Sequence, residues 1–129
     1  MTIELATRPS AVQRGLLAAT PDAPIDHAHL GRYTMGNRAL EFEVLHLFAG
    51  QAPETLAALK SARCEKSWHM AAHALKGSAR AVGAWQVARA AESAEAAGCD
   101  GLDSSQLIGR LEQALREAHR YICGLSQPA

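Results

Sequence analysis

The sequence predicts an all-α fold: an antiparallel four-helix bundle with an additional short N-terminal helix. Three observations carry this. Apolar residues recur at helical spacing in successive segments, and no segment shows convincing period-2 alternation. The composition is 48% hydrophobic but only 5% aromatic, and its many alanines suit closely approaching helices. Finally, Gly, Pro, Asn and Asp fall between the periodic segments, where helices start and stop. At 129 residues the chain is of a size for one domain with a single core.

Residues 1–24 read as an N-terminal arm, punctuated by Pro9, Pro21 and Pro24, in which Ala11–Ala19 forms at most a short helix. Residues 25–129 read as the bundle. Asp26 offers an N-cap for a short helix from His27 to Thr34, ended by Met35-Gly36. Asn37 caps the next run, where Leu40, Val44, Leu47 and Phe48 keep helical spacing and Leu56 and Leu59 continue it to about Ala62. Pro53 interrupts that pattern, so the run is one long helix with a kink or local break, or two separate helices. A third helix is predicted from about Glu65 to Val82, with Gly83 at its end. Ala84 to Ala97 is the next, stopped by Gly98. Asp103 with Gln106 resembles a capping box opening the last helix. On that helix Leu107, Leu111, Leu115, Ala118, Ile122 and Leu125 form one apolar face.

Thirteen basic residues balance thirteen acidic ones, which argues against a nucleic-acid binder. The three cysteines, Cys64, Cys99 and Cys123, form no CxxC pair. They are expected to be reduced thiols, most simply in the core, in a cytoplasmic protein. No secretory signal and no apolar run of about 20 residues is evident. No phosphate-binding G-x-x-x-x-G-K-[ST] loop is present, so ATP-dependent kinase activity is not expected of the chain itself.

The most informative stretch is His73-Ala74-Leu75-Lys76-Gly77-Ser78-Ala79. At about 100° per residue, Trp68, Ala72, Leu75, Ala79 and Val82 share a stripe roughly 80° wide, a core face. His73 lies roughly 140° from the middle of that stripe, with His69, Lys76, Gly77 and Arg80 on the same far side. The ring is therefore expected to face water. Glycine within a helix costs about 1 kcal/mol relative to alanine, and close approach of something large at Gly77 is a reason for it. Imidazoles titrate near 6.5, so an exposed one is available as an uncharged nucleophile at neutral pH. Lys76 lies one turn away and can reach a group attached to the ring. His69 and His73 have the i, i+4 spacing of helical metal ligands, but no third ligand is evident and no metal is expected.

The run His73, Leu75, Lys76, Gly77, Ser78, Ala79, Val82, Gly83, Ala84 resembles the motif H-x-L-K-G-S-A-x-x-V-G-A of the histidine-containing phosphotransfer (HPt) domain family. Glu92 and Gly98 fit the family's later positions. Asp26, Leu30, Tyr33, Gly36, Leu40, Phe48 and Pro53 fit its looser leading pattern, so the similarity covers roughly residues 25–125. The resemblance implies a four-helix bundle whose exposed histidine takes a phosphoryl group from a receiver-domain aspartate and gives it to another. It implies that His73 is the phosphoryl carrier, that Lys76 helps to hold the phosphoryl group and that Gly77 makes room for the receiver. Some members place a glutamine against the histidine ring, and here Glu95 falls at that place. Implied partners are receiver domains of response regulators and of hybrid histidine kinases, with any Mg²⁺ on the receiver and no cofactor on this chain. His69, Met70 and Arg80 are candidate partner contacts, as is Glu95. A monomer that binds neither nucleic acid nor membrane is expected. Two other readings stand beside this one: a non-phosphorylated helical adaptor, and the dimerisation module of a sensor kinase, which would need a following ATPase domain.

Overall fold

The computed structural model describes residues 23–101 and 103–128. The expectation of an N-terminal arm falls almost entirely outside them. Among the described residues the chain is all helix: α1 His27–Thr34, α2 Arg38–Ser61, α3 Glu65–Val82, α4 Trp85–Ala97 and α5 Ser104–Cys123. Helices α2 to α5 pack as a ring in which each touches its two neighbours, while α1 lies on α2 and α3. The short links between successive helices make those neighbours antiparallel.

Most helix ends follow the local chemistry that predicts them. The Asp26 side chain accepts from the His29 amide at 3.1 Å, and Asn37 accepts from Leu40 at 3.0 Å, each capping the helix that follows. Gly83 ends α3 at φ 77°, and a side chain there would meet the backbone oxygen of Asp26 at 2.8 Å. The Asp26 amide also donates to the Gly83 carbonyl at 2.9 Å. Glycine at this position thus lets the start of α1 lie directly on the α3–α4 corner.

Helix α2 is one long helix, as expected, and the alternative of two is set aside; Pro53 is exposed and forgoes only the bond its nitrogen would have made to Ala49. Other expectations are corrected. Leu40 and Leu47 are 40% and 58% exposed. The core face of α2 is instead Leu45, Phe48, Ala49, Ala52 and Leu59. Asp103 precedes α5 but makes no side-chain cap bond, so the capping box is not formed. The cysteines are free thiols but do not fill the core. Cys64 and Cys123 are exposed and Cys99 is half-buried, because they fall at helix ends.

The core runs through Trp68, Ala72, Leu75, Ala79 and Val82 of α3, Val87, Ala88, Ala91 and Ala94 of α4, and Leu111, Leu115, Ala118 and Ile122 of α5. The α3–α4 seam is built largely from alanines, and interaxial distance follows side-chain size. This brings polar side chains on the rims of the two helices within reach of each other. The Trp68 indole nitrogen crosses the seam and donates to the Ala94 carbonyl at 2.7 Å. That bond fixes how α4 slides along α3.

Candidate phosphoryl-acceptor site

Helix α3 presents His73 with its side chain 65% exposed, on the face opposite the buried Trp68–Val82 stripe. Its Nδ1 lies 2.9 Å from Glu95 Oε2. Glu95 stands on α4, one residue beyond the carbonyl that holds Trp68. Lys76 donates to the other oxygen, Oε1, at 2.6 Å. The stem of Lys76 lies along the seam, leaving its side chain 16% exposed. This differs from the solvated lysine suggested by helical phase alone: the ammonium is anchored on a carboxylate rather than adrift beside the ring.

Electrostatics fix the proton on His73. The Lys76 ammonium and then His73 hold the Glu95 carboxyl below the usual carboxylate range, more than offsetting its partial burial. Glu95 is thus an ionised acceptor at neutral pH. An ionised carboxylate has no hydrogen to give, so the bond to His73 needs a proton on Nδ1. A neutral imidazole then carries its lone pair on Nε2.

Gly77 is exposed one turn along, and a side-chain carbon placed on it would meet nothing within 4 Å. Here the glycine answers no need within the chain, since its φ is not positive. Arg80, a further turn away, is 52% exposed and sits 3.7 Å from Glu92, also exposed. That separation between exposed groups makes at most a weak pair. Met70 is 60% exposed. His69 stacks on His73, with ring centroids 5.8 Å apart and planes 14° from parallel. Its Nε2 lies 3.3 Å from Glu95 Oε2. Glu95, which the resemblance places against the His73 ring, thus also reaches His69 and is the third group of the histidine pair.

Helix α1 borders this surface. His29 Nε2 bonds to the Arg80 carbonyl at 2.8 Å, and its ring packs edge-on against Tyr33 and Trp85. Tyr33 and Met35 are 69% and 93% exposed. The apolar groove of about 570 Å³ between α2 and α5, lined by Phe48, Ala52, Leu56 and Leu115 among others, shares no residue with the His73 group. His73 thus stands on an open surface rather than in a groove.

The family model for the Hpt domain matches residues 43–121. The chain belongs to the Hpt domain family. The matched segment holds most of α2, all of α3 and α4, and most of α5, so it encloses His73, Lys76, Gly77 and Glu95. No curated protein and no solved structure matches significantly. The Hpt fold agrees with the all-helical architecture, and Hpt domains act in phosphorelays, where they interact with receiver domains. Among the described residues, no helix is long and apolar enough to cross a membrane.

Two features of this Hpt domain escaped sequence reasoning. The Lys76–Glu95 pair joins residues 19 apart on different helices, and only the α3–α4 register brings them together. The contact of His29 with Arg80 spans 51 positions and depends on the seating of α1 at Gly83.

Proposed function

We propose that this Hpt domain carries a phosphoryl group on Nε2 of His73, accepting it from an aspartyl phosphate on one receiver domain and delivering it to an aspartate on another. The observation that carries this reading is the Nδ1–Glu95 contact on an exposed ring. It commits one nitrogen to a carboxylate and leaves the other as the nucleophile.

In the accepting step the Nε2 lone pair attacks phosphorus and the bond to the aspartyl oxygen breaks. The bonding electrons return to the aspartate as carboxylate. Nδ1 keeps its proton throughout on Glu95, so the ring needs no external base. Delivery is the reverse. Such transfers depend on alignment and charge stabilisation rather than proton chemistry. His73 is aligned by Glu95, and Glu95 by Lys76. The ammonium of Lys76 carries three donors, of which Glu95 takes one, so the same group can also face phosphoryl oxygens. Gly77 leaves space for the receiver's surface, and Met70, Arg80 and Tyr33 form its surroundings. Mg²⁺ belongs to the receiver. The chain acts as a phosphocarrier without kinase activity, as a monomer in the cytoplasm, and engages neither nucleic acid nor membrane.

Incubation with a phosphorylated receiver tests it. Wild type is expected to acquire acid-labile label, and His73→Gln to acquire none. Equal labelling of both overturns the assignment of His73. A wild type that binds receivers but never takes label supports the adaptor reading instead.

A further inference from the structure

His69 and His73 project from successive turns of α3, and Glu95 reaches both from α4. Nitrogens of the two rings and one carboxylate oxygen lie within 4.8 Å of one another. The separations from Glu95 Oε2, 3.3 Å to His69 Nε2 and 2.9 Å to His73 Nδ1, resemble the edge of a small coordination tetrahedron. With metal–nitrogen bonds of about 2.0–2.1 Å, the ligand atoms around zinc stand roughly 3.3 Å apart. The two rings are 14° from parallel, so rotation of one or both side chains, which their exposure permits, is what aims the two nitrogens at a shared ion. Two imidazoles and one carboxylate suit zinc and its neighbours, whereas magnesium and calcium prefer all-oxygen surroundings. The exposure of both histidines, 61% and 65%, gives an ion an entry path and leaves a fourth position to water. Lys76 already occupies the other oxygen of Glu95, at 2.6 Å, so Oε2 is the ligand atom.

We propose that His69, His73 and Glu95 form a binding site for a divalent transition cation of the zinc class, and that its occupancy prevents phosphorylation of His73. The second half rests on the phosphocarrier reading above. It follows from the electron count of the ring. A neutral imidazole has one nitrogen lone pair for donation and one N–H. In the ion-free protein the proton sits on Nδ1 and the lone pair on Nε2. Coordination through Nδ1 uses a lone pair there, so the proton moves to Nε2. That nitrogen then has no pair to offer phosphorus. The proton changes position within the ring, Glu95 stays ionised, and no oxidant or further reactant is involved. Cation and phosphoryl group are thus alternatives at one residue. Phosphorylated His73 keeps its Nδ1 proton on Glu95 and is closed to the ion in turn.

The test uses the full chain. Calorimetric titration with zinc chloride is expected to give one ion per chain, with no heat of binding for magnesium. His69→Ala and Glu95→Ala, each checked for retained helicity, are expected to weaken zinc binding by about tenfold or more. Phosphoryl transfer from a Mg²⁺-loaded phosphorylated receiver is then followed with and without zinc. Label on wild type is expected to fall in proportion to zinc occupancy and to return on adding a zinc-selective chelator. For His69→Ala, the ratio of rates with and without zinc is expected to stay near one. No zinc binding, equal binding by wild type and His69→Ala, or full labelling of the zinc-loaded protein overturns the proposal. Absence of label on zinc-free wild type counts against the phosphocarrier reading, and calorimetry still decides the cation site.

Discussion

Both oxygens of Glu95 are engaged, one by Lys76 and the other by the histidines. A bare carboxylate beside the ring would repel a phosphoryl group. With Lys76 bonded to it, the pair is close to neutral and its remaining effect is to orient. Lys76→Ala leaves the Glu95 charge uncompensated and, on the proposed phosphocarrier reading, also removes a donor from the phosphoryl group. Loss of a charge-assisted hydrogen bond is worth about 1.5–3 kcal/mol, or roughly 10–100-fold in rate. Transfer to Lys76→Ala is expected to slow by that factor, or its phosphohistidine to decay faster, as read by a label-retention time course. An unchanged rate and lifetime would remove Lys76 from the chemistry. At this scale the sequence was readable wherever one helix sufficed. The exposure of His73 and Gly77 follows from the phase of α3 alone, because a single buried stripe decides it. The partners of Lys76 and His73 were not readable in the same way, since they depend on where another helix stops sliding.

The register of α4 against α3 is the element-level property on which the site depends. Trp68 is five residues before His73, and its indole donates to Ala94, the neighbour of Glu95. Trp68→Phe keeps most of the buried ring surface but removes this donor. The Ala94 carbonyl still accepts from the Gly98 amide at 3.2 Å, so the stability loss is expected to be only about 0.5–1.5 kcal/mol. Transfer is expected to slow more than that loss of stability accounts for at a temperature where the variant is folded. Urea unfolding alongside the label assay separates the two effects. The alanine seam makes a harsher prediction. Ala91 is fully buried, and Ala91→Leu is expected to cost about 1–3 kcal/mol through overpacking. Helix boundaries were largely legible because Asn37, Asp26, Gly83 and Gly98 state them locally. The exception is the Asp103–Gln106 pair, a local signal that precedes α5 without forming a cap bond; Pro53, read as lying inside one long helix, does so.

The corner at Asp26 links acid stability to the same local chemistry. Burial raises its carboxyl pKa, but the Trp85 indole at 2.9 Å and the His29 amide more than offset this, leaving it below the ordinary value. A carboxyl held lower in the folded than in the unfolded state stabilises the fold above its unfolded pKa, about 3.9. The contribution is lost as pH falls through the folded value. Wild type is therefore expected to exceed Asp26→Asn in urea midpoint at neutral pH, and the gap to narrow below about pH 4. A gap independent of pH would mean that shape rather than charge fixes this corner.

For the whole molecule, the proposed function and stability make opposite demands at Gly77. Among the described residues the bundle is a platform, with a buried stripe inside and the exposed ring of His73 outside. Such a platform works only when a second protein can lie against it. Gly77→Gln separates the two demands because a Cβ added there meets nothing within 4 Å and the rest of the side chain extends from an exposed position. Glutamine is a better helix former than glycine by roughly 0.5–1 kcal/mol. For a domain of this size, that raises the melting temperature by about 2–6 °C. The same side chain stands in the path of an approaching receiver, one turn from His73. The expected variant is thus more stable and less active: its thermal midpoint rises while receiver affinity and phosphoryl transfer fall at least about tenfold. Calorimetry and a label assay on one preparation read both signs. A variant that gains stability and still transfers at the wild-type rate would show that nothing large passes close to Gly77, and docking would then have to come from another side of the ring.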